Sequence, residues 1–327
     1  MKTSITTITV ICLALSSCDK VKSLAEKAKS TVASELAKKS GESADSKPDP
    51  ELQKLVDQTP EGTVFRKDLP FPNQVTVKIT QRSEVSGRFS QKSELGSQVV
   101  TLKGTVSTIS KLERTGDKVS FTLVESIFTE PVLEGADSKK EPVAKVLEPP
   151  SAPFEFVKSG SAWKSAVATD FRVAARAQTI SPYFDQLLVE NTLAPRVLWF
   201  GKKPHKIGDE LSVTEENLPM VITGNAKGRL KLKLEFFEAV HGHPCGVFSV
   251  TGDFTRKQFP NFSGVLANED VTIESGKLWL SLLYPIILRE EVAIIQTGSS
   301  GGQGGLSTSG MGSAKVSVIR EWKGGAK

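Results

Sequence analysis

Two imidazoles and a thiol separated by single residues, His241-Gly242-His243-Pro244-Cys245, are the set in this sequence best suited to chemistry. In an extended strand, positions i, i+2 and i+4 share a face, so the three side chains can converge on zinc or copper. The thiol alone can also serve redox chemistry. Yet Gly242 and Pro244, set between two alternating runs, have the composition of a turn, and a tight turn splays such ligands apart. No fourth ligand is identifiable, and His205 is the one further histidine. A hairpin turn is therefore the expectation, with a metal or thiol centre as the alternative.

Other motifs carry less. Gly298-Ser299-Ser300-Gly301-Gly302 fits the G-x-S-x-G form of a nucleophile elbow, which needs a strand before it and a helix after it. The residues that follow, QGGLSTSGMGS, cannot start a stable helix, and no histidine lies downstream of His243. The tract reads as a flexible hairpin connection. No glycine run has the Lys-Ser or Lys-Thr of a phosphate loop, and no complete G-x-G-x-x-G follows a strand. The acid pairs Glu215-Glu216, Glu269-Asp270 and Glu290-Glu291 would point to opposite faces of a strand and are expected as solvated charges. Trp163, Trp199, Phe200, Trp279 and Trp322 are expected in core or sheet-face packing. No catalytic residue, cofactor or metal ligand is assigned from these patterns.

The elements that must position such residues are mostly strands. Val75, Val77 and Ile79 alternate with polar residues, as do Leu230, Leu232, Leu234 and Phe236. Three pairs of runs bracket turn-like segments: ERTGDK at 113–118, HGHPCG at 241–246, and the Gly/Ser tract after 296. Short turns between alternating runs imply antiparallel pairing. Helix is expected at about 170–194, broken at Ser181-Pro182, where serine caps and proline opens the second part. Phe184, Leu187 and Leu188 form its apolar stripe, and Pro195 ends it. The fold class is then α+β, mainly antiparallel β: a curved sheet or partial barrel packed on that helical segment. The proline-rich, charged stretch at 130–153 either divides the body into a β-rich lobe at 52–150 and a helix-plus-β lobe at 151–327, the favoured reading, or forms one long surface loop. The apolar run LWLSLLYPIIL at 278–288 suits the lining of a cavity or a sheet buried on both faces.

Composition bounds the partners. The 327 residues carry 42 basic and 37 acidic side chains, and the net charge of +5 is spread among alternating signs. A concentrated basic face is missing, so nucleic acid is not an expected partner. Of three cysteines, Cys12 and Cys18 lie at the N-terminus, leaving Cys245 as the single thiol of the body.

The N-terminus is the most specific stretch. Lys2 precedes an apolar run at 5–15, too short for a bilayer span and suited to an export signal. Leu15-Ser16-Ser17-Cys18 resembles the lipobox of bacterial lipoprotein precursors. The resemblance implies diacylglyceryl transfer to the Cys18 sulfur, cleavage before it to remove residues 1–17, and acylation of the new amine. Several acyl chains make such attachment durable. Asp19 resembles the inner-membrane retention signal of enteric bacteria. Residues 19–39 read as a weak amphipathic helix and 41–51 as a linker, so 18–51 form a lipidated tether. Trp199 through Leu211, WFGKKPHKIGDEL, resembles a proline–basic–Gly-Asp element of uncharacterised β-rich envelope lipoproteins, in which Gly208-Asp209 forms a turn into a strand.

The expected protein is thus lipid-anchored in the bacterial cell envelope, with its body in the periplasm or outside the cell. A non-catalytic binding or structural role is favoured, in one version as carrier of an apolar ligand, with an envelope protein as the other candidate partner. The alternative is an envelope enzyme, a hydrolase or a metal- or thiol-dependent protein using His241, His243 and Cys245.

Overall fold

Alternation of period two dominates the body of the chain, and in the computed structural model that pattern becomes long strands. The structure describes residues 47–65, 73–93, 96–129, 132–133, 144–146, 153–159, 162–165, 203–213, 226–257, 266–284, 286–301 and 307–323. In chain order these form the helical turn α1 (Pro50–Gln53), β1 (Asp57–Thr59), β2 (Gly62–Val64), β3 (Gln74–Ser93), β4 (Gly96–Thr115), β5 (Lys118–Thr129), β6 (Val132–Leu133) and β7 (Ala144–Val146). Then come β8 (Phe154–Ser159), β9 (Ala162–Ser165), β10 (Glu210–Val213), β11 (Ala226–Val240), β12 (His243–Lys257), β13 (Leu266–Ser281), β14 (Ile287–Gly301) and β15 (Ser307–Lys323).

Strands β1 and β2 make a small hairpin, and the rest form one 13-stranded antiparallel sheet. Its order is β10-β11-β12-β13-β14-β15-β3-β4-β5-β8-β9, with β6 beside β4 and β7 beside β5. The sheet is open, with β10 and β9 at its edges. Strands β3 and β4 are each 20 residues long, or about 66 Å at the usual rise per residue. The seam between β15 and β3 runs from Ser307↔Lys92 to Lys323↔Thr76 and joins residues 74–129 and 226–323 into one sheet.

Alternation places one side chain set of every strand on a common inner face. Val75, Val77, Ile79, Leu112, Val119, Phe121, Leu230, Leu232, Phe248, Val316 and Val318 are buried in one contiguous apolar core. The β1–β2 hairpin lays Phe65 on this face, its ring 5.5 Å from that of Phe248. Leu52, Leu55 and Val56, in and after α1, pack against the same core. The side chain of Asp49 accepts from Glu51 N–H at 2.8 Å and caps α1, with Pro50 at the first helical position.

Several expectations change here. Among the described residues the one helix is α1, so what they show is mainly antiparallel β in an open sheet, without a helical segment packed across it. The period-two runs supply their own core. The broken helix at about 170–194 lies outside the described residues, as do the tether at 18–51 up to residue 46, Trp199, Phe200 and Glu215-Glu216, while Pro50 and Glu51 at the end of the expected linker open α1. Phe236 leaves the face of Leu230, Leu232 and Leu234, because a β-bulge falls between Leu234 and Phe236 and shifts the register by one. The run at 278–288 is not one strand. It folds back after Ser281, whose hydroxyl accepts from Leu283 N–H at 3.1 Å and Tyr284 N–H at 3.2 Å, and Ile287 starts the return strand. The Gly/Ser tract is itself largely strand: Gly298 and Ser299 pair with Gly310 and Ser309. Edge-on pairing on both sides supplies there the hydrogen bonds that side-chain packing would otherwise reinforce.

Candidate functional site

The inner face changes character along the strands. Near the β11–β12 turn it is mainly apolar, with Val77, Leu112, Phe121, Phe154 and Trp322 aligned by register on neighbouring strands and with Arg114 and His243 as buried polar residues among them. One or two residues along comes a polar belt. Glu290, Gln81, Thr108 and Ser126 fall in one register row, with Val318 between the first two, and Arg320 and Ser110 lie in the same-face row next to it. Arg320 Nη1 stands 2.6 Å from Glu290 Oε1 and donates to the Ile287 carbonyl at 2.9 Å. Their side chains are 6% and 15% exposed, so this is a buried ion pair. Removing one partner of such a pair leaves a bare buried charge and costs about 3–5 kcal/mol, whereas replacing both by apolar residues is often neutral.

Beyond the belt the face is built from small residues. Gly87 opposes Gly312, and Phe89 opposes Gly310. The Phe89 ring lies over these glycines, so that a Cβ on Gly310 or Gly87 would strike it. An aromatic ring laid on a glycine cross-strand neighbour covers backbone that the glycine leaves bare. Here Val85, Phe89, Ile273 and Val292 are only half-buried, in contrast to the closed core below. Gln296 sits on this part of the face between Val271 and Gly312. It is 9% exposed, and its Nε2 finds no hydrogen-bond partner among the described residues. The arrangement is a half-open apolar surface with one unsatisfied amide donor, bordered by a polar belt. It is suited to hold an elongated apolar molecule that carries an acceptor.

The structure places the His-Cys set differently. His241, at φ 47, and Gly242, at φ 85, form the β11–β12 turn, while His243, Pro244 and Cys245 already belong to β12. His241 is exposed. The His243 ring stacks on Trp322 at 5.3 Å between centroids and meets Tyr284 edge-on at 6.4 Å. Burial holds its pKa down to about 4 against the opposing pull of Asp49, and His241 lowers it further. Burial likewise raises the pKa of Tyr284. Cys245 is fully buried, and its thiol donates to the His243 carbonyl at 3.4 Å. Among the described residues no three His, Cys, Asp or Glu side chains are grouped to hold a metal. His241, His243 and Cys245 are therefore not brought together, and the packing of His243 is aromatic. Ser300, the serine of the elbow-like motif, lies in β14 opposite Thr308 of β15, and the next described element after it is again a strand, so the nucleophile-elbow geometry does not form.

Sequence reasoning missed the inner-face polar residues. Glu269 and Glu290 were expected in water, but Glu269 is 4% exposed and Glu290 pairs with Arg320. The signal was present: Leu288-Glu290-Val292-Ile294-Gln296 and Val316-Val318-Arg320-Trp322 each alternate on one face, with opposite charges embedded in apolar company. Trp279 and Trp322 are buried, as expected. Trp279 lies on the outer face, where its Nε1–H donates to Glu238 Oε2 at 2.6 Å and Arg289 stacks 4.6 Å over its ring. Gly208, at φ 95, and Asp209 do form a turn into β10.

The sequence matches no protein-family model and no curated protein sequence. Lipovitellin, in a structure concerned with its lipid–protein interactions, overlaps 78% of this chain at 9% identity and a TM-score of 0.34. The match covers 26% of the lipovitellin chain, so this chain spans about a quarter of that protein's length. A DUF1329 family protein from Desulfovibrio piger ATCC 29098 overlaps 75% of this chain and 85% of its own, at 10% identity and a TM-score of 0.15. A DUF3598 family protein of unknown function from Nostoc punctiforme PCC 73102 overlaps 79% and 97%, at 11% identity and 0.08. Overlaps this loose say nothing about ligand or activity.

Proposed function

We propose that this chain is a lipid-anchored protein of the bacterial cell envelope whose sheet carries an apolar ligand and performs no chemistry on it. The anchor half of the reading is supported by Leu15-Ser16-Ser17-Cys18 at the end of a short apolar leader. Its body would lie in the periplasm or outside the cell, held by acyl chains on Cys18. The carrier half rests on one observation: the half-open stretch of inner face around Val85, Phe89, Ile273 and Val292, where buried Gln296 holds an unsatisfied donor. A ligand there would cover aliphatic surface worth about 25 cal/mol per Å², and an acceptor on it would take the hydrogen bond that Gln296 lacks once the closed-off amide turns toward it.

Mass spectrometry of the chain extracted from membranes in mild detergent tests both halves. Under denaturing conditions the chain is expected to begin at Cys18 and to carry diacylglyceryl and acyl mass on it. Under native conditions a further non-covalent mass is expected, released by organic solvent. In Gln296→Leu that second mass is expected to fall while the fold stays at least as stable, since an unpaired buried donor has been removed. An unmodified N-terminus refutes the anchor. Bare protein mass in repeated native preparations refutes the carrier.

A further inference from the structure

Three of the seven exposed large apolar side chains among the described residues lie at one end and one edge of the sheet, the two phenylalanines on its opposite faces. They are Ile207 at 62%, Phe236 at 37% and Phe237 at 38%. Gly208 N–H donates to the Leu234 carbonyl at 2.7 Å, and Leu234 N–H to the Asp209 carbonyl at 2.9 Å, which holds Ile207 alongside the bulge that turns Phe236 outward. Strand β10 pairs with β11 only as far as Lys233, so the β11–β12 hairpin runs on beyond it toward the 241–242 turn. That turn receives the start of the body: Asp49 N–H donates to the Gly242 carbonyl at 2.8 Å. The chain that leads back to Cys18 therefore enters at this end. Two exposed lysines, Lys203 and Lys206, flank Ile207, and Lys277 Nζ sits 5.5 Å over the Phe236 ring. The acids here are engaged: Asp209 accepts from Lys206 N–H and lies 3.5 Å from His205, Glu235 accepts from Ser249 Oγ at 2.9 Å, and Glu238 accepts from Trp279 Nε1–H at 2.6 Å.

We infer that this end of the sheet lies in the surface of the bilayer, with Ile207, Phe236 and Phe237 in the boundary between headgroups and acyl chains. The inference rests on the lipid-anchor reading, since the acyl chains on Cys18 bring that surface within reach. Aromatic and aliphatic side chains rimmed by lysine are the composition of an interfacial contact, and the lysines are attracted to anionic headgroups. The half-open inner face begins farther along the same strands, so an apolar ligand leaving the bilayer would meet the β11–β12 end of the sheet first.

Fluorescence in vesicles tests this. The mature chain, isolated from membranes, is placed in phosphatidylethanolamine–phosphatidylglycerol vesicles with Ile207→Cys carrying an environment-sensitive NBD label. Cys245 is fully buried and Cys18 blocked by its thioether, so residue 207 is the site labelled. Met311→Cys, at a residue 61% exposed toward the opposite ends of β14 and β15, is the control. At 207 the emission is expected to shift to the blue, to strengthen, and to be quenched by brominated acyl chains. At 311 it stays as in water. Adding Phe236→Ser and Phe237→Ser is expected to abolish the shift at 207 while the chain still floats with the vesicles. A water-like signal at 207 on floating chains overturns the inference and leaves the anchor intact. A second label on Cys18 shows that the anchor reading has failed. In that event the same probe in a Cys18→Ser background decides, at high lipid, whether the surface binds by itself.

Discussion

His243 is packed against Trp322 with its residue 6% exposed, so a proton added to its ring must be held without water. In the unfolded chain that proton binds near the ordinary value of 6.5, and in the folded chain only near 4. Between those values the unfolded state binds more protons, so stability falls as the pH drops from about 6.5 to about 4 and levels off below. The shift from 6.5 to about 4 corresponds to about 3 kcal/mol. Urea unfolding of the native chain across that window is expected to show the loss, and His243→Phe to flatten it. The wild-type and variant curves should part only below about pH 6.5. The residue itself stood out in the sequence because it is one of three histidines, but its role did not. Whether an imidazole faces a metal or an indole depends on Trp322, which lies 79 residues further along the chain. Arg320 and Glu290 were equally visible as letters, and their pairing needed the register of β14 on β15.

The hairpin of β11 and β12 shows what the strands demand of single positions. Gly252 holds φ 147, and a Cβ there would collide with the Arg229 carbonyl and crowd Leu230. Gly252→Ala is expected to cost at least the roughly 1–3 kcal/mol of a disfavoured backbone conformation. Gly116, at φ 57 with open space around it, is the contrast. Gly116→Asn is expected to stay within about 0.5 kcal/mol of wild type, since asparagine accepts the left-handed region. Thermal midpoints of the two variants check the pair. Period-two alternation made most of these strands legible, and Gly-Asp at 116–117 marked the β4–β5 turn. Strand ends and bulges were not legible. The bulge between Leu234 and Phe236 interrupts an unbroken apolar series, and the fold-back at 281–287 hides inside eleven apolar-rich residues. Local composition does not reveal where a neighbouring strand slips by one.

At the scale of the molecule, the pairing of β15 with β3 ties residues far apart in sequence, with Lys78 Nζ reaching Glu321 Oε1 at 3.0 Å across 243 positions. One sheet with one contiguous core is expected to unfold as a unit. Urea transitions followed by tryptophan emission and by far-ultraviolet circular dichroism should coincide. Two separated transitions would instead reveal the independently folding lobes that the charged, proline-rich stretch at 130–153 suggested. The antiparallel β character of the body was readable from its alternation. The single sheet was not, because nothing local in residues 76–92 names residues 307–323 as their neighbours.

The attachment of Asp49 to Gly242 has a mechanical side. Tension on the leading segment falls first on one hydrogen bond and the four-residue turn behind it, at the tip of a hairpin. The seventeen-residue seam of β15 lies well behind that point and takes load only after the tip has peeled. A tug on the leading segment is thus expected to be absorbed by a small yielding element, while the long strands of the sheet keep their alignment.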